Sequence, residues 1–229
     1  MKVLQDDTLL QQKLEQFGFD AIFTDVSKVP FTLASYEAGE VMLAEGEPLD
    51  YLIYLVEGKV KATASVGNGK SLLLRFNHPL SILGDIEFVR KIPIQSQIAA
   101  TTHCLCLNVP FDYLRRTEKN NAAFYAHLVE HVTYKLQTNT ASSRVNLLAA
   151  VDQRFASYLL SVNAGDNFGD EMHTEHVAEI ADLLGTSHRH LNRVIKRFLE
   201  EGIIEKYKKQ IRIIDEARLE EISQGVRYE

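Results

Sequence analysis

The sequence contains little cysteine and no long apolar run. Only two of its 229 residues are cysteines, Cys104 and Cys106, and they share one face of a stretch that alternates like a strand, so they are not a disulfide framework. No segment approaches the roughly 18 consecutive apolar residues that a membrane helix needs, and the start of the chain lacks the apolar centre of a signal peptide. We therefore expect a globular cytoplasmic protein.

The motifs of several enzyme and metal-site classes are also missing. A cupin-type enzyme needs histidines and a carboxylate that converge inside a barrel, but the one His-x-His sequence begins at His188 in a helical segment. There is no Gly-x-Ser-x-Gly elbow and no phosphate-binding glycine loop. His103 would point away from Cys104 and Cys106, because neighbours along a strand face opposite sides. The sequence predicts neither an enzyme nor a metal site.

Positive charge is concentrated in one short segment. The formal net charge is −6, and residues 1–110 contain 9 basic against 13 acidic residues. Residues 185–214 reverse this balance, with eight basic against three acidic residues. A local basic segment in an acidic chain is typical of a surface that binds nucleic acid.

Residues 29–110 have the pattern of many short strands. Apolar runs alternate with glycines, and apolar residues take every second position from 60 to 66. The sequence Gly67-Asn68-Gly69 offers the positive φ angles of a tight hairpin, and residues 72–76 would be the returning strand. We predict an α+β protein in which residues 1–112 form an antiparallel β-barrel of the jelly-roll type.

A long helix is predicted over residues 113–145, where the chain has no glycine or proline. Apolar residues recur there at helical spacing: Tyr125, Leu128, Val132 and Leu136. This narrow stripe favours a dimer seam, and packing on the barrel is the alternative. A second amphipathic helix over residues 146–160 and a loop over residues 163–170 would open a C-terminal domain of residues 146–229.

Residues 177–196 match a helix-turn-helix. The first helix would present one apolar face, formed by Val177, Ile180, Ala181 and Leu184. Gly185 lies at the turn, where a left-handed backbone suits glycine, and Thr186 or Ser187 would cap the second helix. The core-facing residues of the second helix are Leu191, Val194, Ile195 and Phe198. Its outward residues are Ser187, His188, Arg189, Asn192, Arg193 and Lys196.

This outward face and the strands after it predict binding to double-stranded DNA. Arginine can form two hydrogen bonds with guanine and asparagine with adenine, so we predict base contacts by Arg189, Asn192 and Arg193. Ser187 and Lys196 would contact phosphate. Two strands after Gly202 would form a wing with three lysines near the backbone: Lys206, Lys208 and Lys209. The alternatives are a helical hairpin with a solvated basic face and a sensor that acts through protein contacts alone.

Several segments together resemble the CRP/FNR family of transcription regulators. In the N-terminal domain these are Glu37–Glu40, Glu45–Glu47, Leu55–Val60 and Leu83–Ile86, and the helix-turn-helix follows in the family's order. The run Leu184–Leu191 resembles the YeiL branch. The resemblance implies a homodimer that binds a two-fold symmetric DNA site, contacts RNA polymerase, and is controlled by an effector that acts on the barrel; control without an effector is the alternative.

The sequence departs from this family where an effector would bind. In cyclic-nucleotide binders, an Arg-Ser or Arg-Thr pair after a Gly-Glu-Leu turn neutralises the cyclic phosphate, whereas this chain has Gly84-Asp85-Ile86 and Gln95-Ser96. Glutamine supplies no positive charge, which argues against cyclic AMP. These five residues are a candidate pocket for another ligand, or merely a tight turn. Two cysteines cannot supply the four ligands of a 4Fe-4S cluster. The effector, the target DNA, and activation or repression stay open.

Overall fold

The computed structural model describes residues 1–65, 71–163, 177–207 and 210–228. Two compact units are present: Met1–Ala62 with Asn77–Leu136, and Thr63–Phe76 with Gln137–Glu229. The predicted hairpin turn Gly67-Asn68-Gly69 and the predicted loop from residue 164 onward lie outside the described residues.

Nine strands lie in the described part of residues 1–110. They are β1 Lys2–Leu4, β2 Thr32–Tyr36, β3 Val41–Leu43, β4 Tyr51–Glu57, β5 Val60–Ser65, β6 Ser71–Asn77, β7 Ser81–Leu83, β8 Gln97–Ala100 and β9 Cys104–Pro110. One sheet has the order β1-β2-β9-β4-β7, and the other has the order β3-β8-β5-β6. The predicted jelly-roll architecture is therefore confirmed, as two sheets rather than one closed barrel.

The core of the first unit lies along β4 and β9. Both strands are buried over almost their whole length, because side chains cover both of their faces. The ring of Phe19, from a short 3-10 helix, lies edge-on to Tyr54 with centroids 4.9 Å apart. Two helices flank this region, α1 Asp7–Gln16 and α2 Asp85–Arg90.

The two cysteines are free, buried thiols on β9. Burial raises the pKa of Cys104 and of Cys106 above that of an exposed thiol. The Sγ atom of Cys104 donates a hydrogen bond to the Lys59 carbonyl oxygen at 3.3 Å. Since the reactive species is the thiolate, both groups are chemically quiet at neutral pH.

The single helix predicted over residues 113–145 is two helices, α3 Phe111–Thr117 and α4 Ala122–Leu148. Between them the buried Glu118 carboxylate accepts hydrogen bonds from the hydroxyl and backbone N–H of Thr24. The Asn121 side-chain oxygen then accepts hydrogen bonds from the backbone N–H groups of Ala123 and Phe124, in the first turn of α4. An N-cap therefore starts a new helix without glycine or proline.

Helix α4 has a buried face and a separate exposed apolar stripe. Leu128, which the sequence prediction placed in the stripe, is 2% exposed and packs in the core of the first unit. Val129 is 61% exposed instead. The exposed stripe, called the α4 stripe below, is Tyr125, Val129, Val132 and Leu136. Its spacing of four, three and four residues is that of a two-helix seam.

The second unit contains the C-terminal elements. Its helices are α5 Val151–Asn163, α6 Val177–Leu183, α7 His188–Glu200 and α8 Glu216–Ser223, and its two-stranded sheet pairs β10 Ile204–Tyr207 with β11 Gln210–Ile213. The helix predicted over residues 146–160 is shifted, because α4 continues to Leu148 and α5 starts at Val151. In the core, the rings of Phe155 and Phe198 lie 5.7 Å apart.

Candidate nucleic-acid interface

The turn between α6 and α7 has the geometry that the sequence predicts. Gly185 has a φ of +61°, the left-handed conformation in which glycine carries no steric cost. Of the two candidate caps, Ser187 is the one used, because its hydroxyl accepts a hydrogen bond from the His190 backbone N–H at 3.2 Å. The turn and cap fix the start of α7, which we call the recognition helix.

The recognition helix divides into a buried and an exposed face. The predicted apolar residues are all buried: Leu191, Val194, Ile195 and Phe198. The predicted DNA-facing residues are all exposed: Ser187, His188, Arg189, Asn192, Arg193 and Lys196. Burial of the apolar residues therefore holds six polar side chains on one outward surface.

The charges on this surface are arranged for an anionic partner. No acidic residue lies in the first turn of the helix. Within the part of the chain that the structure describes, Arg189 and Arg193 form no ion pair, so their guanidinium groups are available. The Asn192 side-chain amide lies 2.9 Å from His188 Nε2, and Lys196 Nζ lies 3.6 Å from Glu200 Oε1.

The predicted wing is the hairpin of β10 and β11, in which Ile204 pairs with Ile213 and Glu205 with Arg212. Lys206 is exposed on β10. Lys208 and Lys209 lie outside the described residues. Contact of these lysines with DNA stays a prediction.

Two residues of α5 that the sequence analysis missed support the helix-turn-helix. Arg154 Nη1 donates to the Leu184 carbonyl oxygen at 2.5 Å, beside Gly185. Asp152 Oδ2 accepts from Arg197 Nη2 of the recognition helix at 2.9 Å. Each contact joins residues at least 30 positions apart, so no local pattern could have revealed it.

The five predicted effector residues surround the start of α2 but have different environments. Gly84 has a φ of +87°, and an added Cβ would lie 2.6 Å from Leu49 Cδ2. Asp85 is buried, whereas Ile86 and Gln95 are exposed and Ser96 is half-buried. The Gln95 side chain donates to the Pro93 carbonyl oxygen at 2.7 Å. A role for these residues in ligand binding stays a prediction.

Asp85 has a partner that the sequence analysis did not identify. Lys135 Nζ, from α4, lies 2.7 Å from Asp85 Oδ1 and 2.5 Å from the Ile82 carbonyl oxygen. The side chains of Lys135 and Asp85 are 8% and 2% exposed. His127 and His131 precede Lys135 on the same helix face at intervals of four residues.

Two family models match the chain. Residues 33–121 match the cyclic nucleotide-binding domain, and residues 153–222 match the Crp-like helix-turn-helix domain. The regulatory protein YeiL of Escherichia coli O157:H7 is 30% identical over 190 residues, which cover 83% of this chain and 84% of YeiL. The chain belongs to the CRP/FNR family of transcription regulators. As a CRP/FNR protein it is a DNA-binding regulator and not an enzyme, as the sequence predicts.

Other CRP/FNR proteins cover a similar share of the chain. The CRP-like cAMP-activated global transcriptional regulator of Mycobacterium tuberculosis is 25% identical over 189 residues, or 80% of this chain and 84% of that protein. A solved CRP/FNR regulator from Eubacterium rectale has a TM-score of 0.74 at 17% identity, covering 95% of this chain and 94% of the other. A CRP-family regulator from Thermus thermophilus has a TM-score of 0.70 at 19% identity, covering 86% and 98%. These likenesses confirm the predicted fold.

The described residues contain neither a candidate membrane span nor a candidate metal-ligand cluster. Among them, no helix combines the length and the apolarity that crossing a membrane requires. The histidine, cysteine, aspartate and glutamate side chains of the same residues form no group of three that could hold a metal ion.

Proposed function

We propose that this CRP/FNR protein is a homodimer that reads a two-fold symmetric site in double-stranded DNA with its two recognition helices. The observation that carries the proposal is the exposed face of α7, where Arg189 and Arg193 form no ion pair within the described residues. Residues 1–112 act as the sensor-type domain, residues 113–145 dimerise, and residues 146–229 bind DNA.

Each residue of the interface has a proposed role. Arg189, Asn192 and Arg193 contact base edges in the major groove, because their side chains offer paired hydrogen-bonding groups near the start of the helix. Ser187, His188 and Lys196 flank them and contact the backbone. Lys206 and the two lysines at 208 and 209 contact phosphate from the wing.

The α4 stripe supports the dimer. Its members are apolar and exposed in the single chain, and Leu136 is 66% exposed. Two copies of such a stripe, packed along a two-fold axis, would bury each other and place two recognition helices symmetrically. A dimeric protein of this kind acts in the cytoplasm, where the chromosome lies, and the family resemblance adds contact with RNA polymerase.

Two modes of control fit the N-terminal domain: an effector at the Gly84 turn, or none. Cyclic AMP is disfavoured because Gln95, at the position of the family's phosphate-binding arginine, is neutral and donates to Pro93. Asp85 is already paired with Lys135, which favours control without an effector.

The test is selection of bound sequences from a pool of random DNA duplexes. Wild-type protein should enrich a two-fold symmetric motif. Arg193→Ala should weaken binding to that motif by about tenfold or more and relax preference at one position of each half-site, since it removes a bidentate base contact.

Arg218→Ala is the matched control, because this exposed arginine lies on α8 and pairs with Glu221. It should recover the wild-type motif. A motif without two-fold symmetry would contradict the dimer, and equal enrichment by Arg193→Ala would contradict the assignment of the recognition helix.

A further inference from the structure

We propose that the buried ion pair between Lys135 and Asp85 holds α4 against the Gly84–Asp85 turn and makes DNA binding independent of a small-molecule effector. This inference rests on the proposed function, since DNA binding is its readout. Lys135 and Asp85 are the two side chains that link α4 to the turn.

The geometry fixes both ends of the pair. Asp85 is the first residue of α2, directly after Gly84, whose positive φ and close approach to Leu49 leave no room for a side chain. At the other end, the Lys135 ammonium donates to both Asp85 and the Ile82 carbonyl oxygen. Lys135 is therefore bound by two groups that lie on either side of the same turn.

Burial makes it energetically costly to separate Lys135 from Asp85. Lysine and aspartate are costly to remove from water, and removing one partner of a buried pair leaves an uncompensated charge. A shift of α4 by one residue would rotate Lys135 away from the turn by about 100°. Asp85 would then be a buried charge without its partner. The pair thus selects one register of α4 against the turn.

The charges at the turn also oppose an anionic ligand. Such a ligand would meet the Asp85 carboxylate, and it would have to separate Lys135 from Asp85 before using that cation. Gln95 brings no positive charge to replace it, and its side-chain amide is bonded to Pro93. The chemistry of the turn therefore fits an internal lysine better than a cyclic nucleotide.

Lys135 connects the ion pair to the dimer surface, because it lies next to the end of the α4 stripe. Helix α4 is continuous from Ala122 to Leu148, and it carries the α4 stripe up to Leu136, next to Lys135. A pair that fixes the register of this helix also fixes the direction in which the dimer stripe faces. The dimer then needs no ligand to fix the orientation of the α4 stripe before it binds DNA.

The experiment compares ligand-free binding of the selected DNA motif by wild-type protein, Lys135→Met, Asp85→Asn and the double variant. Methionine keeps the aliphatic stem of lysine, and asparagine keeps the shape of aspartate. Backbone hydrogen–deuterium exchange of residues 128–139 is measured on the same proteins, and Lys119→Met, an exposed lysine just before α4, is the control.

Wild-type protein should bind its motif without added nucleotide. Each single variant should bind about tenfold more weakly or worse and exchange faster over residues 128–139, at a temperature where its circular dichroism is still native. The double variant, which leaves no unpaired charge, should lose less affinity than the product of the two single losses. Lys119→Met should match wild type in both measurements.

Two results would overturn the inference and leave the proposed function intact: a motif bound only after addition of cyclic AMP or cyclic GMP, or single variants that bind and exchange as wild type does. Failure to enrich any motif, with or without these nucleotides, would instead overturn the proposed function and the inference with it. The outcomes are therefore distinguishable.

Discussion

Arg154 illustrates how a side chain remote from the predicted DNA-facing surface can govern it. Its guanidinium donates to the Leu184 carbonyl oxygen at the end of α6, where helix carbonyls lack partners within the helix. Gly185 follows at once, and an added Cβ there would lie 3.5 Å from Arg154 Nη1. The turn is thus held from α5 as well as by its own backbone.

Replacing this arginine should weaken DNA binding without removing a DNA contact. We expect Arg154→Met to lower affinity for the selected motif by about tenfold, because the loss of a hydrogen bond from a charged donor costs about 1.5–3 kcal/mol. The slope of log affinity against log salt should stay at the wild-type value, since no phosphate contact is lost. Titration by fluorescence anisotropy at several salt concentrations measures both quantities.

Arg218→Met is the control for this variant, as it removes an exposed arginine from the same unit. It should change neither affinity nor slope. A slope reduced by about one unit in Arg154→Met would contradict the positioning role and indicate a direct phosphate contact.

Helix α4 combines its exposed apolar stripe with a row of titratable side chains, of which His127 and His131 are half-buried and Lys135 is buried. His127 and His131 lie with ring centroids 4.6 Å apart, and Lys135 and Asp85 lie near His131. Burial lowers the pKa of His131 to about 4, and the nearby His127 and Lys135 contribute to this shift, while Asp85 opposes it. Burial also lowers the pKa of His127, next to Glu130.

These shifts predict that acid destabilises the fold. Between the ordinary histidine pKa of 6.5 and about 4, the unfolded chain binds a proton at residue 131 that the folded chain does not bind. The free energy of unfolding should therefore fall as pH falls through this window, by less than about 1.4 kcal/mol per pH unit for this half-buried group. Urea unfolding from pH 7.5 downward measures it.

His131→Gln removes this group and should flatten the pH dependence, whereas His103→Gln, at an exposed position outside the row, should not. If His131→Gln keeps the wild-type dependence, then His131 is protonated in the folded protein and its surroundings are more polar than the packing of α4 indicates.

Across the two units, the sequence predicted best the features that are encoded by residues close together in the chain. The recognition helix was predictable because its apolar spacing, the Ser187 cap and Gly185 all lie within a few residues of each other. The break before α4 was not, because it depends on Glu118 and its contact with Thr24, 94 residues away.

The candidate sites follow the same rule. The exposed face of α7 is a property of one helix and could be predicted from its period. The environment of Asp85 could not, because Lys135 is 50 residues away and its position reads as a solvent-facing lysine. Leu128 was assigned to the wrong face for a related reason: both Leu128 and Val129 fit an apolar period, and only tertiary packing distinguishes them.

The predicted homodimer can be tested by substitution in the α4 stripe. Val129→Glu should convert a dimer into a monomer, because two carboxylates would be buried opposite each other across the seam. Light scattering after size-exclusion chromatography measures the mass. Binding to the full symmetric motif should fall by about 100-fold or more, while weak binding to a half-site should persist. The reason is that loss of the dimer removes the gain in effective concentration for the second recognition helix.

Gln137→Glu adds the same charge to α4 at an exposed position outside the stripe and should remain dimeric. A Val129→Glu protein that stays dimeric with unchanged affinity would show that the two chains associate through another surface, and the stripe would then be available to a different partner.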